Sequence, residues 1–220
     1  DNLISAGAGA AIGATFNAPI AGTLFVLEEL IHRFTPSMLF PTLVATVVSA
    51  SVARHFLGAN PAFNTELGHI TMEGSILPVC VVLGVLAGVL GVLFSKTIFF
   101  FNGVYSKIRV PNYLKPALAG FLTGLAGLFL PYILSSGNGS VEMLFKGELP
   151  IVLVCTIFCV KFIITPLCFG SGAAGGIFLP MLMLGSFLGY ITGFGANLLG
   201  AEVNLVAISS LGMAGVFGSV

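Results

Sequence analysis

Tryptophan is absent from these 220 residues, and charged side chains make up only 7% of them. A chain so poor in charge cannot clothe a soluble domain, nor does it have the polar, self-repelling composition of a disordered segment. Eight basic and eight acidic residues cancel, which leaves no basic stripe for nucleic acid and no polybasic tail for anionic lipid. Without tryptophan, an interfacial aromatic belt rests on Tyr105, Tyr113, Tyr132 and Tyr190. Cysteine is scarce as well. Cys80, Cys155, Cys159 and Cys168 lie in apolar runs without the paired spacing or neighbouring histidines of a zinc site, and read as small apolar side chains. His32, His55 and His69 are scattered near the ends of apolar runs, so no metal site is expected.

What the chain does have is apolar length: 57% hydrophobic residues and a mean hydropathy of +1.10 mark an integral membrane protein. Apolar runs fall near 3–16, 18–31, 37–57, 76–102, 116–134, 149–168, 177–199 and 203–220. A perpendicular helix needs roughly 20 apolar residues to cross the hydrocarbon core. Several runs are shorter and 76–102 is longer, so an all-α, multi-pass bundle of unequal, tilted and broken helices is expected. Asn17-Ala18-Pro19 divides the first pair of runs, because proline removes a donor and biases its predecessor away from helix. Asp1 follows no charged apolar leader, and Val220 lies inside an apolar run. Further spans are expected on each side.

Loop charge assigns an orientation. Residues 59–75 carry Glu66 and Glu73 but no lysine or arginine, whereas 103–116 carry Lys107, Arg109 and Lys115. The second loop is therefore the cytoplasmic candidate, and the segment around Glu28, Glu29 and Arg33 falls on the same side.

The stretch Gly170-Ser171-Gly172-Ala173-Ala174-Gly175-Gly176-Ile177-Phe178-Leu179-Pro180 places glycine-rich backbone between two apolar runs. In lipid, unwound backbone survives where protein buries it or where it lines an aqueous cavity. N–H groups at the head of the helix that follows favour an anion there without help from a basic side chain. Close helix packing is the other use of such glycines. A second small-residue pattern aligns Leu3–Ala14 with Ile208–Ser219, matching Gly7 to Gly212 and Gly13 to Gly218, as halves of an inverted repeat would.

Two features bear on charge movement. Glu28 and Glu29 end the apolar segment Phe25-Val26-Leu27. Burial favours the protonated form of a carboxyl and would let one of them carry a proton; alternatively both meet water at the interface and pair with Arg33. Lys161 lies inside the 149–168 run, where it can snorkel, pair with a carboxylate, or lend positive potential to an anion path. Thr165-Pro166 is expected to loosen that helix before the glycine break.

Gly13 through Glu29, reading Gly-Ala-Thr-Phe-Asn-Ala-Pro-Ile-Ala-Gly-Thr-Leu-Phe-Val-Leu-Glu-Glu, together with Gly170 to Pro180, resembles two signatures of the CLC chloride channels and proton-coupled chloride exchangers. Those two stretches are specific, and the spans between them match mainly in hydropathy and length. The resemblance implies an all-helical homodimer in lipid, with an ion pathway in each subunit built from inverted repeats of tilted, partly re-entrant helices. Residues 1–220 then form an incomplete transmembrane domain, the tail of a first half to about 110 and the start of a second from about 111. In the Gly-x-Phe-x-Pro signature, Gly176 to Pro180 here, the resemblance implies that the N–H groups of Ile177 and Phe178 hold the anion while Gly175 and Gly176 let the chain approach closely. It further implies that Glu29 relays protons from the cytoplasm with Glu28 accessory, since many family channels carry an apolar residue, commonly valine, in place of Glu29. Ala173-Ala174 departs from the proline usual before the glycine pair. The family's serine loop, its outer gating glutamate and its late tyrosine have no counterpart in these residues.

The expected function is thus proton-coupled chloride antiport in a plasma or inner membrane. Chloride and protons are the transported ions; no cofactor, nucleic-acid partner or catalytic residue is expected. A passive chloride channel of the same family, and a helical scaffold whose glycines serve packing alone, are the alternatives. An intramembrane enzyme lacks a Ser/His pair or ligand cluster at compatible places.

Overall fold

Proline and glycine set where the helices stop. The computed structural model describes residues 2–32, 34–58, 76–173 and 175–220, all of them helix or connecting turn with no strand among them. It divides into two compact units, Asp1–Asn64 and Thr65–Val220.

The first unit holds α1 (Asn2–Phe16), α2 (Pro19–Phe25) and α3 (Pro36–Leu57). The expected break lies between α1 and α2, with Asn17 in the left-handed region at φ 53°. Pro19 begins α2 and sacrifices no hydrogen bond, because the first helical N–H has no partner within a helix. Small residues let these helices touch. A Cβ on Gly13 would lie 3.2 Å from the Thr46 carbonyl oxygen, and one on Gly22 would lie 2.9 Å from the Gly13 nitrogen. Inside this contact the hydroxyls of Thr23 and Thr46 share a 2.8 Å hydrogen bond. After Phe25 the chain widens into a π-helical turn, Val26–Ile31, which His32 ends at φ 55°.

The second unit holds α4 (Ile76–Lys107), α5 (Lys115–Phe129), α6 (Asn138–Phe145), α7 (Ile151–Gly170), α8 (Phe178–Leu198) and α9 (Leu205–Phe217). Among the described residues α3, α4, α7 and α8 are long and apolar enough to cross a membrane. This multi-pass, apolar architecture is that of an integral membrane protein. One core cluster joins Ala87, Leu90, Phe94 and Ile98 of α4 to Met181 and Leu184 of α8 and Val216 of α9.

The α8–α9 contact depends on glycine. A Cβ on Gly212 would fall on the Gly185 carbonyl oxygen, and one on Gly189 on the Ile208 carbonyl oxygen. Backbone cannot yield as a side-chain tip can, so Gly189→Ala is expected to destabilise the fold by about 2 kcal/mol or more. A lowered midpoint of thermal unfolding in detergent would register it, whereas an unchanged midpoint would mean that the helices slide apart at no cost.

The structure corrects several expected boundaries. The 103–116 segment is not all loop: α4 continues to Lys107, whose cation suits the helix's negative end. The 116–134 run is not one span, since α5 stops at Phe129 and Pro131–Ile133 forms a 3-10 turn. Pro166 does not interrupt α7, which runs on to Gly170 with Thr165 and Pro166 both buried. Helix α6 was not expected, because eight residues of mixed polarity carry little periodicity. The aligned glycines also differ in use, for a Cβ on Gly7 would meet nothing within 4 Å whereas Gly212 is in tight backbone contact. The orienting loop 59–75, with Glu66, His69 and Glu73, lies outside the described residues, as do Arg33 and Ala174.

Candidate anion-binding site

Lys161, Thr165 and Cys168 recur at steps of four and three along α7 and so occupy one face of it. All three line a cavity of about 170 Å³, together with Thr123 of α5, Ile133 and Ser135 of the turn after α5, and Gly175, Gly176 and Ile177 of the glycine loop.

Lys161 is only 4% exposed. It does not snorkel and meets no carboxylate among the described residues. Its Nζ instead donates to the carbonyl oxygens of Ile133 at 2.8 Å and Ser135 at 2.7 Å. Ser135 has φ 61°, a left-handed conformation that serine adopts at a cost. A desolvated ammonium costs several kcal/mol unless its donors are met, and these two carbonyls meet two of the three. Of the three uses open to Lys161 in sequence, supplying positive potential to the cavity is the one this geometry favours.

The loop is assembled around Ser171 and Gly172. Ser171 Oγ donates to the Cys168 carbonyl at 2.6 Å, and the Ala173 N–H reaches Ser171 Oγ at 3.3 Å. Gly172 turns left-handed at φ 81°, the usual exit from a helix. A Cβ on Gly172, Gly175 or Gly176 would meet nothing within 4 Å. Among the described residues, these glycines therefore do not serve helix packing. What they leave is open space on the Cβ side of the backbone, and Gly175 and Gly176 line the cavity. No described group accepts from the N–H of Gly175, Gly176 or Ile177. Successive unpaired N–H groups make an anion-binding concavity, and α8 adds the positive end of its dipole.

Packing holds this arrangement in place. The Ile177 side chain rests on the core cluster of α4, α8 and α9. Phe178 opens α8, and its ring meets that of Phe217 of α9 edge-on, 4.9 Å between centroids and 72° between planes. Pro180 falls within the first turn of α8, where its missing N–H is not needed. Sequence reasoning singled out Ile177, Phe178, the glycines and Lys161 but missed Thr123, Ser135 and the sharing of one α7 face by Lys161, Thr165 and Cys168. A stripe of polar residues at helical spacing inside an apolar run was the available signal.

The family model described as Voltage gated chloride channel matches residues 1–220, the whole chain. The chain belongs to that family. A curated relative, the H(+)/Cl(-) exchange transporter ClcA of Vibrio campbellii, is 31% identical over 220 residues, covering 96% of this chain and 47% of that protein. The transporter of the same name from Yersinia pestis is 33% identical over 224 residues, covering 96% of this chain and 46% of its own. The chain thus spans about half the length of the curated relatives it matches. Its backbone follows the crystal structure of a slow cyanobacterial Cl−/H+ antiporter with a TM-score of 0.84 at 27% identity, over 98% of this chain and 52% of that one. A CLC-type fluoride/proton antiporter shares the fold, with a TM-score of 0.76 at 24% identity over 93% of this chain and 50% of the other.

The other family signature lies in the first unit. Glu28 and Glu29 sit in the π-helical turn after α2, both exposed on this chain, while Val26 and Leu27 before them are fully buried. The burial that would favour a protonated carboxyl is not supplied by these residues. The pairing expected with Arg33 falls on a residue outside the described ones. π-turns interrupt helices chiefly at functional positions.

Proposed function

We propose that the protein carries out proton-coupled chloride antiport, chloride moving one way and protons the other, as a homodimer in the lipid bilayer. It acts as a transporter and not an enzyme, and the transported ions are its only small-molecule partners, with no cofactor. Chloride is held at the head of α8 by the backbone N–H groups of Ile177 and Phe178, with Gly175 and Gly176 keeping the approach open. Glu29 hands protons to and from the cytoplasm, and Glu28 is accessory.

The observation that carries this reading is the run of amides at Gly175, Gly176 and Ile177 without an acceptor among the described residues, on the wall of a cavity that a buried ammonium lines and no carboxylate does. Such a place attracts a small anion and repels a cation. The names of the relatives point the same way, and Glu29 favours exchange over passive conduction.

Proteoliposomes containing the full-length protein supply the test. An outward chloride gradient is expected to drive protons inward against their own gradient, read with a pH electrode. Chloride flux that moves no protons would replace antiport with the passive channel. No chloride flux at all would leave the scaffold.

A further inference from the structure

Beside the loop amides, two side chains in the same cavity retain hydrogen-bonding capacity. An ammonium has three donors, and Lys161 spends two of them on the carbonyls of Ile133 and Ser135. Thr165 lies one turn further along α7 and is 8% exposed. Helical threonines ordinarily return their hydroxyl to the carbonyl four residues back, as Thr123 and Thr156 do here at 2.9 and 2.8 Å. The Thr165 hydroxyl makes no such bond and has no partner among the described residues. The residue is nine-tenths buried and borders the cavity, so its free hydroxyl is available to whatever occupies that space.

The lining narrows what that is. It contains one cation and no Asp or Glu, so a metal ion would meet repulsion with no compensating ligand. The remaining walls, among them Ile164, Phe169 and Pro180, are apolar and exclude a bulky polar solute. A cavity of about 170 Å³ has room for one small anion and accompanying water.

We infer that Lys161 and Thr165 form a subsite for a small monovalent anion behind the glycine loop, in addition to the backbone site at Ile177 and Phe178. The ammonium supplies the charge and one donor, and the threonine hydroxyl supplies a second. The subsite rests on the transport reading only for the identity of its occupant as chloride; the geometry asks for any small halide.

Bromide substituted for chloride in crystals of the full-length protein reports each position separately by anomalous scattering. The expected result is a peak within hydrogen-bonding reach of Lys161 Nζ and Thr165 Oγ1. Thr165→Val keeps the shape and deletes the donor, so the bromide concentration for half-occupancy of that peak is expected to rise about tenfold. Lys161→Arg is expected to keep the peak. Lys161→Met also strands two carbonyls and endangers the fold, which makes Thr165→Val the deciding variant. A cavity without bromide while the Ile177 amide binds it, or an occupancy curve that Thr165→Val leaves unmoved, overturns the subsite and spares the antiport reading. A filled cavity in a protein whose chloride gradient moves no protons does the reverse.

Discussion

Replacing Glu29 with alanine is expected to abolish chloride-driven proton movement while anion flux continues. The two ions are bound by unlike chemistry. A halide needs donors, which backbone amides supply whatever side chains surround them, whereas a proton needs a base that can hold it and let it go. In the first unit, Glu28 and Glu29 are the carboxylates that follow the apolar segment 18–27, and the π-turn sets them just past two fully buried side chains. On the proposed reading, alanine at 29 removes the proton carrier and alters none of the residues at the head of α8. Neighbouring residues on a helical turn point in different directions, so Glu28 does not substitute for Glu29, and Glu28→Ala should slow proton movement without stopping it. Paired chloride and pH recordings on proteoliposomes separate the two fluxes. Coupling unaltered in Glu29→Ala would take that residue out of the proton path.

How far the sequence foretold this structure depends on the range of the interaction involved. Breaks that proline and glycine impose locally were legible: Pro19 starts α2, and the run from Ser171 to Ile177 separates α7 from α8 as expected. The family signature also led to Ile177, whose amide has no acceptor among the described residues. Contacts between distant segments were not legible. The carbonyls that receive Lys161 lie 28 and 26 positions earlier in the chain, and one belongs to a serine whose left-handed backbone no propensity foretells. Glycine spacing likewise could not separate two uses. Gly185, Gly189 and Gly212 let helices touch, while a Cβ on Gly175 or Gly176 would meet nothing within 4 Å among the described residues. That distinction, invisible in composition, removes packing as the reason for the loop glycines and weakens the scaffold alternative.

The backbone claim can be tested at the backbone, and Ile177→Pro is expected to raise the half-saturating chloride concentration at least tenfold. Proline deletes one N–H and nothing else that the helix needs. Ile177 sits just before α8 with φ −94° and ψ −12°, within about 30° of proline's preferred φ. Proline also restricts the residue before it, but that residue is Gly176, the most permissive choice. A hydrogen bond to a charged group contributes about 1.5–3 kcal/mol, so the loss of one donor corresponds to roughly ten- to a hundredfold in affinity. Proline would also shed the packing of the isoleucine side chain against the α4–α8–α9 cluster. Two companions isolate that effect: Ile177→Val keeps the amide and trims the side chain, and an amide-to-ester replacement at Ile177 keeps the side chain and removes only the donor. Near-normal chloride dependence in the valine variant with weakened binding in both others assigns the loss to the N–H. An ester variant that transports chloride like the parent would show that the amide faces the cavity without holding the ion, and the anion would then be bound by the Lys161 side of the cavity alone.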